Sequence, residues 1–361
     1  MRPSLQAIVY MIFAGLCTSF CISCNNFETE KRGSWEHYAA GGMLQIGLPT
    51  MTDDGQLFFV SGATGHGDIY CVDIATSQTR RITFSEYFEG SPVVADDGSF
   101  LFFSREVNGK ASVFSLDLRS NAENRITDGN SFDEPVATLQ NASFLLVSRK
   151  QESFAGHGQI VSYWLSSVRR HTDPSTRRIG DFAVADSSGS HLAVLDDNSI
   201  WHLTGKDFED KSQIEAPFDA FPLAISSDGF HLVLAKQASA GEWEFDSDLY
   251  LIEIESSNIC KIGKGHSPVV EKNGTLVIFY TGYDNLLQQF VTATQTSNPI
   301  GFEGSFKSNL RLVEQGASAV FASVTDNRAD NYEIFKIPLD SLQPIRLFSV
   351  NSAAIKKEFD Q

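Results

Sequence analysis

Three histidines carry the most visible chemistry in this sequence. His66 and His157 each stand between glycines, in Gly65-His66-Gly67 and Gly156-His157-Gly158, and His266 follows Gly265. Imidazoles gathered at one point ligate divalent metals or relay protons. Three acidic pairs, Asp53-Asp54, Asp96-Asp97 and Asp196-Asp197, offer the two carboxylates that acid–base hydrolysis uses. A further set mixes aromatic, acidic and basic side chains: Tyr87, Glu89 and Ser91, then Phe132, Asp133 and Glu134, then Phe218, Asp219 and Phe221, and finally Lys307. That mixture suits a peptide, a sugar or a cation. The sequence holds no P-loop, dinucleotide fingerprint, His-Glu-x-x-His helix or Gly-x-Ser-x-Gly elbow.

What these residues can do depends on the elements that hold them, and an internal repeat specifies those elements. A phrase ending in a tight turn recurs, closing at Gly55, Gly98, Asn141, Gly189, Gly229, Gly274 and Gly316, at intervals of 40–48 residues. Asp-Gly and Asn-Gly favour hairpins because the second residue must take positive φ, and Asn tolerates that region best after Gly. Each turn leads into an apolar run such as Leu57-Phe58-Phe59-Val60 or Leu276-Val277-Ile278-Phe279. A third segment follows, as in Asp68-Ile69-Tyr70-Cys71-Val72-Asp73, and most copies close on a short fourth, as in Arg80-Arg81-Ile82-Thr83. Four strands in about 43 residues is the length of a propeller blade. No run of ten or more residues keeps a helical period. The expectation is an all-β chain, a seven-bladed β-propeller of four-stranded antiparallel blades.

That frame ranks the chemistry. Loops joining fourth to first strands share a face with those joining second to third strands, so they form a rim around the axial channel. The rim is expected to carry Tyr87, Glu89, Phe132, Asp133, Glu134, Phe218, Asp219, His266 and Lys307. His66, His157 and His266 fall on the same face but in separate blades, so no metal site and no cofactor are expected, and no residue is assigned a catalytic role. The acidic pairs read as turn residues whose side chains cap the bend. Cys71 and Cys260 lie in blades 1 and 5, too far apart for a disulfide.

The residues also resemble a known repeat. Pro-x-x-x-x-Asp-Gly, then Asp-Ile-Tyr-x-x-Asp, then Arg-Arg-Ile-Thr is similar to the WD40-like β-propeller repeat of the TolB-type family, best in residues 49–83, 92–127 and 222–263. The resemblance runs over residues 45 to 350 and implies fold rather than activity. Too few residues precede the first blade for the N-terminal α/β domain of TolB itself. Proteins with this repeat include periplasmic scaffolds, propeller domains of prolyl peptidases and oligogalacturonate lyases. A lyase of that kind gathers histidines around a metal.

The N-terminus reads as a targeting segment. Arg2 is followed by a nearly apolar run to Ile22, then Ser23-Cys24 and polar Asn25-Asn26. This resembles a bacterial lipoprotein signal, with Cys24 the lipidated residue. The expected organisation is a signal peptide at 1–23, a lipid-anchored linker at 24–46, the propeller at 47–350 and a polar tail at 351–361. A formal net charge of −17 opposes binding to nucleic acid or anionic lipid. The expected role is a non-enzymatic module of the bacterial cell envelope, tethered to the outer membrane facing the periplasm, that binds a protein or an extracellular peptide or glycan through its rim. The alternatives are secretion and, for function, a carbohydrate-active enzyme such as a metal-dependent oligosaccharide lyase.

Overall fold

The computed structural model describes residues 49–63, 67–95, 97–152, 159–168, 176–236, 247–271, 274–281, 286–301, 305–306, 310–313, 317–324, 331–351 and 355. The signal segment, Cys24, the linker, His66, Asp96, His157 and Lys307 lie outside them.

The described chain is built from antiparallel up-and-down meanders. The first comprises Thr50–Met51, Gln56–Ser61, Asp68–Asp73 and Thr79–Arg81. The second (Phe88–Val94, Phe100–Val107, Lys110–Asp117, Glu123–Arg125) and the third (Phe132–Leu139, Phe144–Glu152, Gln159–Ser167, Thr176–Gly180) join into one sheet. The joint is a single parallel bridge, Ala111 to Phe132. The fourth runs Phe182–Ala185, Leu192–Asp196, Ser199–Thr204 and Asp210–Ile214. The fifth (Ala220–Ile225, His231–Lys236, Ser247–Glu253) and sixth (Leu276–Thr281, Leu286–Val291, Thr296–Pro299) share the long strand Ile259–Val270. It is the outer strand of one and the inner strand of the other. The last meander pairs Ser305–Phe306 and Arg311–Val313 with Ser318–Val324, then Asn331–Pro338 and Ile345–Asn351.

The repeated turns set this pattern. Gly229 takes φ +73, its amide bonded to the Ser226 carbonyl; where Asn141 replaces glycine it also takes positive φ, +54, but Gln140 and Ala142 join it at +49 and +56 and the bond runs from the Ser143 amide to the Gln140 carbonyl, so positive φ survives the replacement and the turn geometry changes. The second strands are apolar on both sides because each meander is covered on both faces. Leu57, Phe59, Leu101, Phe103, Leu145 and Leu232 are fully buried.

The apolar layers lie between successive meanders. Phe58, Val60 and Cys71 of the first meet Leu101, Phe103 and Leu116 of the second. Phe102 and Val113 meet Leu145 and Val147, and Leu146 and Leu165 meet Leu192 and Val194. Ala193, Leu195 and Ile200 meet Leu232 and Ile252. Val233 and Leu249 meet Val277 and Phe279. Ile278 and Leu287 meet Phe321 and Ile337. The last layer joins the two ends of the chain: Leu57, Phe59 and Tyr70 pack with Val320, Ile334 and Val350. Ile355, in the segment expected to be only a polar tail, is buried in that layer.

One further feature differs from the sequence reading. The fourth meander has an outer strand, Asp210–Ile214, in a stretch with no apolar signal, preceded by a 3-10 turn at Lys206–Phe208 that buries Phe208. Cys71 and Cys260 are both free thiols, as expected, and burial pushes the Cys71 thiol up to about 11.

Candidate functional site

The two faces of the meanders carry different polar chemistry. On the face of the Asp-Gly turns, acids cap bends. Asp73 accepts from the Thr76 amide at 2.9 Å, and Asp117 from the amides of Arg119 and Ser120 at 2.8 and 2.9 Å. These main-chain donors hold both carboxyls below their ordinary range. Asp97 accepts from the Ser99 amide at 2.9 Å, and Asp54 from the Thr52 hydroxyl. Asp54 and Asp97 are thus turn residues. On the opposite face, Asp197 and Asn198, at φ +47 and +66, form the two-residue bend of the hairpin between Leu192–Asp196 and Ser199–Thr204, and Asp196, at the end of its strand, pairs with Arg178 at 3.0 Å.

On the opposite face, acids meet fixed cations. The Asp-x-Tyr and Arg-Arg elements of the repeat meet here. Tyr70 pairs with Arg81, which brings the guanidinium to Asp68 two residues earlier, at 2.9 Å. The same diagonal joins Lys261 to Asp248 at 2.8 Å, Arg346 to Glu333 at 2.9 Å, and Arg125 to Ser112 at 2.9 Å. The repeat motif therefore encodes a cross-strand ion pair. Its threonine is equally structural, since Thr83 and Thr127 accept from the amides of Ile69 and Val113 at 2.9 and 3.0 Å.

The densest polar group sits on the second and third meanders. Glu89 has no exposed surface and accepts from Arg105 Nε at 2.6 Å, while the outer nitrogens of Arg105 reach Glu123 at 2.6 and 2.7 Å. The guanidinium lies 4.5 Å from the Phe114 ring centroid. Burial pushes the Glu89 carboxyl up, against the pull of Thr83 and Arg105. Asp133, also without exposed surface, takes two parallel hydrogen bonds of 2.8 Å from Arg149, whose guanidinium lies 4.7 Å from the Trp164 ring centroid. Glu134 accepts from Lys150 at 2.7 Å and, across the two meanders, from Ser91 at 3.0 Å. The Lys150 ammonium lies 5.3 Å from the Phe132 ring centroid.

Glu89, Phe132, Asp133 and Glu134 lie inside first strands rather than in rim loops. The reason is the length of the second strands, which continue the pairing out to Phe88–Glu106 and Phe132–Lys150. Tyr87 is in the preceding loop, 39% exposed, and Phe84 beside it is 71% exposed beneath the Arg81 guanidinium. Phe218 packs on Tyr250 at 4.6 Å and lies under the Lys236 ammonium at 5.8 Å, in the fifth meander, with exposed Asp219 beside it. Phe221 is a core residue. His266 is in the shared strand, its Nδ1 3.0 Å from the Ser267 hydroxyl. The structure thus brings Ser91, Phe132, Asp133 and Glu134 together, while Phe218, Asp219 and His266 belong to other meanders.

Sequence reasoning missed the cations: Arg81, Arg105, Arg149 and Lys150. A signal existed, because Glu89–Arg105, Asp133–Arg149 and Glu134–Lys150 share one spacing of sixteen residues. Among the described residues, no three of His, Cys, Asp or Glu stand together as metal ligands.

No family model matches this chain, and no curated protein does. Solved structures do resemble it. The β-propeller domain of the Trilobed protease from Pyrococcus furiosus, described as having an open velcro topology, superposes with a TM-score of 0.61 at 12% identity, covering 85% of this chain and 97% of that one. An acylaminoacyl peptidase bound to a chloromethyl ketone gives 0.60 at 12% identity over 86% of this chain. This chain spans about half of that peptidase, 54% of its length. An oligogalacturonate lyase in complex with manganese gives 0.56 at 13% identity, covering 80% and 87%. The fold is a β-propeller.

Proposed function

We propose that this chain is a non-enzymatic binding module, a seven-bladed propeller closed into a ring. Its ion-paired face presents the second and third blades to a protein partner or to an extracellular peptide or glycan. Seven blades follow from taking each meander as one blade. Ring closure is supported by the apolar layer between the first and last meanders. Kinship with the TolB-type repeat family is supported by the motif residues of the sequence.

The observation that carries the functional reading is the state of the acids on this face. Glu89, Asp133 and Glu134 each bind a fixed cation. Carboxylates tied to cations in this way are engaged within the protein rather than directed at a substrate, and interlocked charges on strands form a rigid surface of the kind that recognition needs. In this reading Cys24 carries the lipid, and the linker 24–46 gives the propeller reach from the outer membrane into the periplasm.

The test is capture by the soluble form beginning at Asn25, against envelope extract and a polysaccharide array, with and without chelator. Chelator-insensitive binding that is lost in Tyr87→Ala and Phe84→Ala is the expected result. Metal-dependent turnover of an oligosaccharide would overturn the reading in favour of a lyase and direct mutation to His66, His157 and His266.

A further inference from the structure

The layer between the fourth and fifth meanders holds an imidazole pair. His191 Nδ1 lies 3.1 Å from His202 Nε2, with ring centroids 5.3 Å apart and planes inclined by 26°. The rings therefore meet edge to edge, nitrogen facing nitrogen. With the outer nitrogen of each ring protonated, one proton between the rings makes an N–H···N hydrogen bond within a singly charged imidazolium–imidazole pair. A second proton between them makes both facing nitrogens donors and leaves two cations facing each other without an acceptor. His202 stands opposite Ala193, a residue of this apolar layer. His191 is pressed against the fifth meander: a Cβ added to Gly229 would fall 2.3 Å from its Nδ1.

We infer that the His191–His202 pair is a pH-sensitive latch, holding the fourth and fifth meanders together while it shares one proton and loosening that seam when it takes up a second.

The charged groups around the pair do not relieve this second proton. Asp186 is the nearest acid of the same meander, but its carboxylate is committed to the amides of Ser188, Ser190 and His191, at 2.9, 2.8 and 2.8 Å. From the outer strand, Ser212 faces His202, and neighbouring Lys211 puts its ammonium 3.9 Å from the centroid of the Trp201 ring. From the fifth meander, Asp228 is held by the Ser226 hydroxyl at 2.5 Å and the Phe230 amide at 3.1 Å. Burial and the facing His191 lower the His202 imidazole to about 4, against the pull of Asp186.

The next seam supplies an internal control. His231 occupies the corresponding place in the fifth meander, since a Cβ on Gly274 would fall 2.3 Å from its ring. It has acids rather than a histidine for company: Asp228 Oδ1 is 4.0 Å away and Glu253 is its cross-strand partner.

The sign follows from linkage. His202 has a folded pKa below its ordinary value of about 6.5, so the opened seam binds more protons than the closed one between about pH 6.5 and about 4. Opening therefore becomes easier as pH falls through that window, by up to about tenfold per pH unit for one proton. Hydrogen exchange on the full chain at about pH 7.5 and about pH 5, corrected for intrinsic rates, is the test. Residues 186–191 and 225–231 are expected to lose protection on acidification, and strand Leu276–Thr281 to keep it. His202→Gln, which can still hydrogen-bond His191 but does not titrate, is expected to abolish the response. An unchanged response in His202→Gln, or equal loosening of both seams, overturns the latch. If that variant fails to fold, the imidazole nitrogen spectra of the unmodified protein decide. One of the pair remaining neutral to about pH 4.5 supports the latch, and both titrating near about 6.5 sinks it.

Discussion

Asp133 holds the guanidinium of Arg149 by two parallel hydrogen bonds of 2.8 Å from a position with no exposed surface, and Glu89 holds Arg105 at the corresponding register one meander earlier. Removing one partner of such a pair leaves a buried charge alone. Arg149→Met is therefore expected to lower stability by about 3 kcal/mol, while Asp133→Asn combined with Arg149→Met loses less than the single change. Urea unfolding of these two variants and of Asp133→Asn alone measures this. An additive cycle would show that the two side chains do not interact energetically.

The Glu89 carboxyl is pushed up by burial even though Arg105 is beside it. Its charged form is thus the disfavoured one in the folded protein. The destabilisation it brings is present above the raised folded pKa and is relieved as pH falls through that pKa toward the ordinary carboxylate range. Glu89→Gln is expected to stay within about 1 kcal/mol of the parent at neutral pH, because a neutral amide oxygen still accepts from Arg105 without the desolvation penalty. Arg105→Met is expected to lose about 3 kcal/mol. Stability measured across the acid range should show Glu89→Gln lacking the parent's relief on acidification.

Gly229 and Gly55 separate backbone strain from crowding. Both have positive φ, +73 and +87, but a Cβ on Gly229 runs into His191 whereas one on Gly55 meets nothing within 4 Å. Gly55→Ala is expected to lose about 1 kcal/mol from strain alone. Gly229→Ala should lose clearly more, because the imidazole pair must also move. Equal thermal shifts in the two variants would refute the packing argument.

Ile355 is 5% exposed, in the layer that joins the chain ends. Ile355→Ala is expected to lower stability by about 2–5 kcal/mol. Hydrogen exchange should then quicken in Gln56–Ser61 and Ile345–Asn351 together, since Phe59 and Phe348 touch at 5.3 Å across the same layer. Acceleration in only one of the two strands would show that Ile355 does not tie them.

The turns were legible because their chemistry is local: Asp-Gly and Asn141 announce positive φ wherever they fall. Second strands such as Leu57–Val60 were legible because burial on both sides writes a continuous apolar run. Asp210–Ile214 was not, since an outer strand wet along most of its length is specified by hydrogen bonds to Ser199–Thr204 rather than by its own side chains. Glu89, Phe132, Asp133 and Glu134 lie in strands where the sequence suggests loops, because how far a first strand extends is decided by its partner. The ion pairs were invisible one residue at a time, as each cation lies a hairpin away from its acid. The repeated interval between them was available and carries that information. Ile355 was read as part of a polar tail because a single apolar residue has no period.

The layer between the first and last meanders has a consequence for how the molecule is made. Its contacts, Phe59 with Phe348 among them, connect residues separated by most of the chain, so they bear the largest loop-closure entropy and form last. A ribosome delivers Leu57, Phe59 and Tyr70 long before Val320, Ile334 and Val350. Throughout that interval the first meander has one apolar flank with nothing against it, and a newborn chain in this condition invites association with its own copies. Chaperone cover is needed most during the synthesis of the middle meanders, and ends when the final strands arrive.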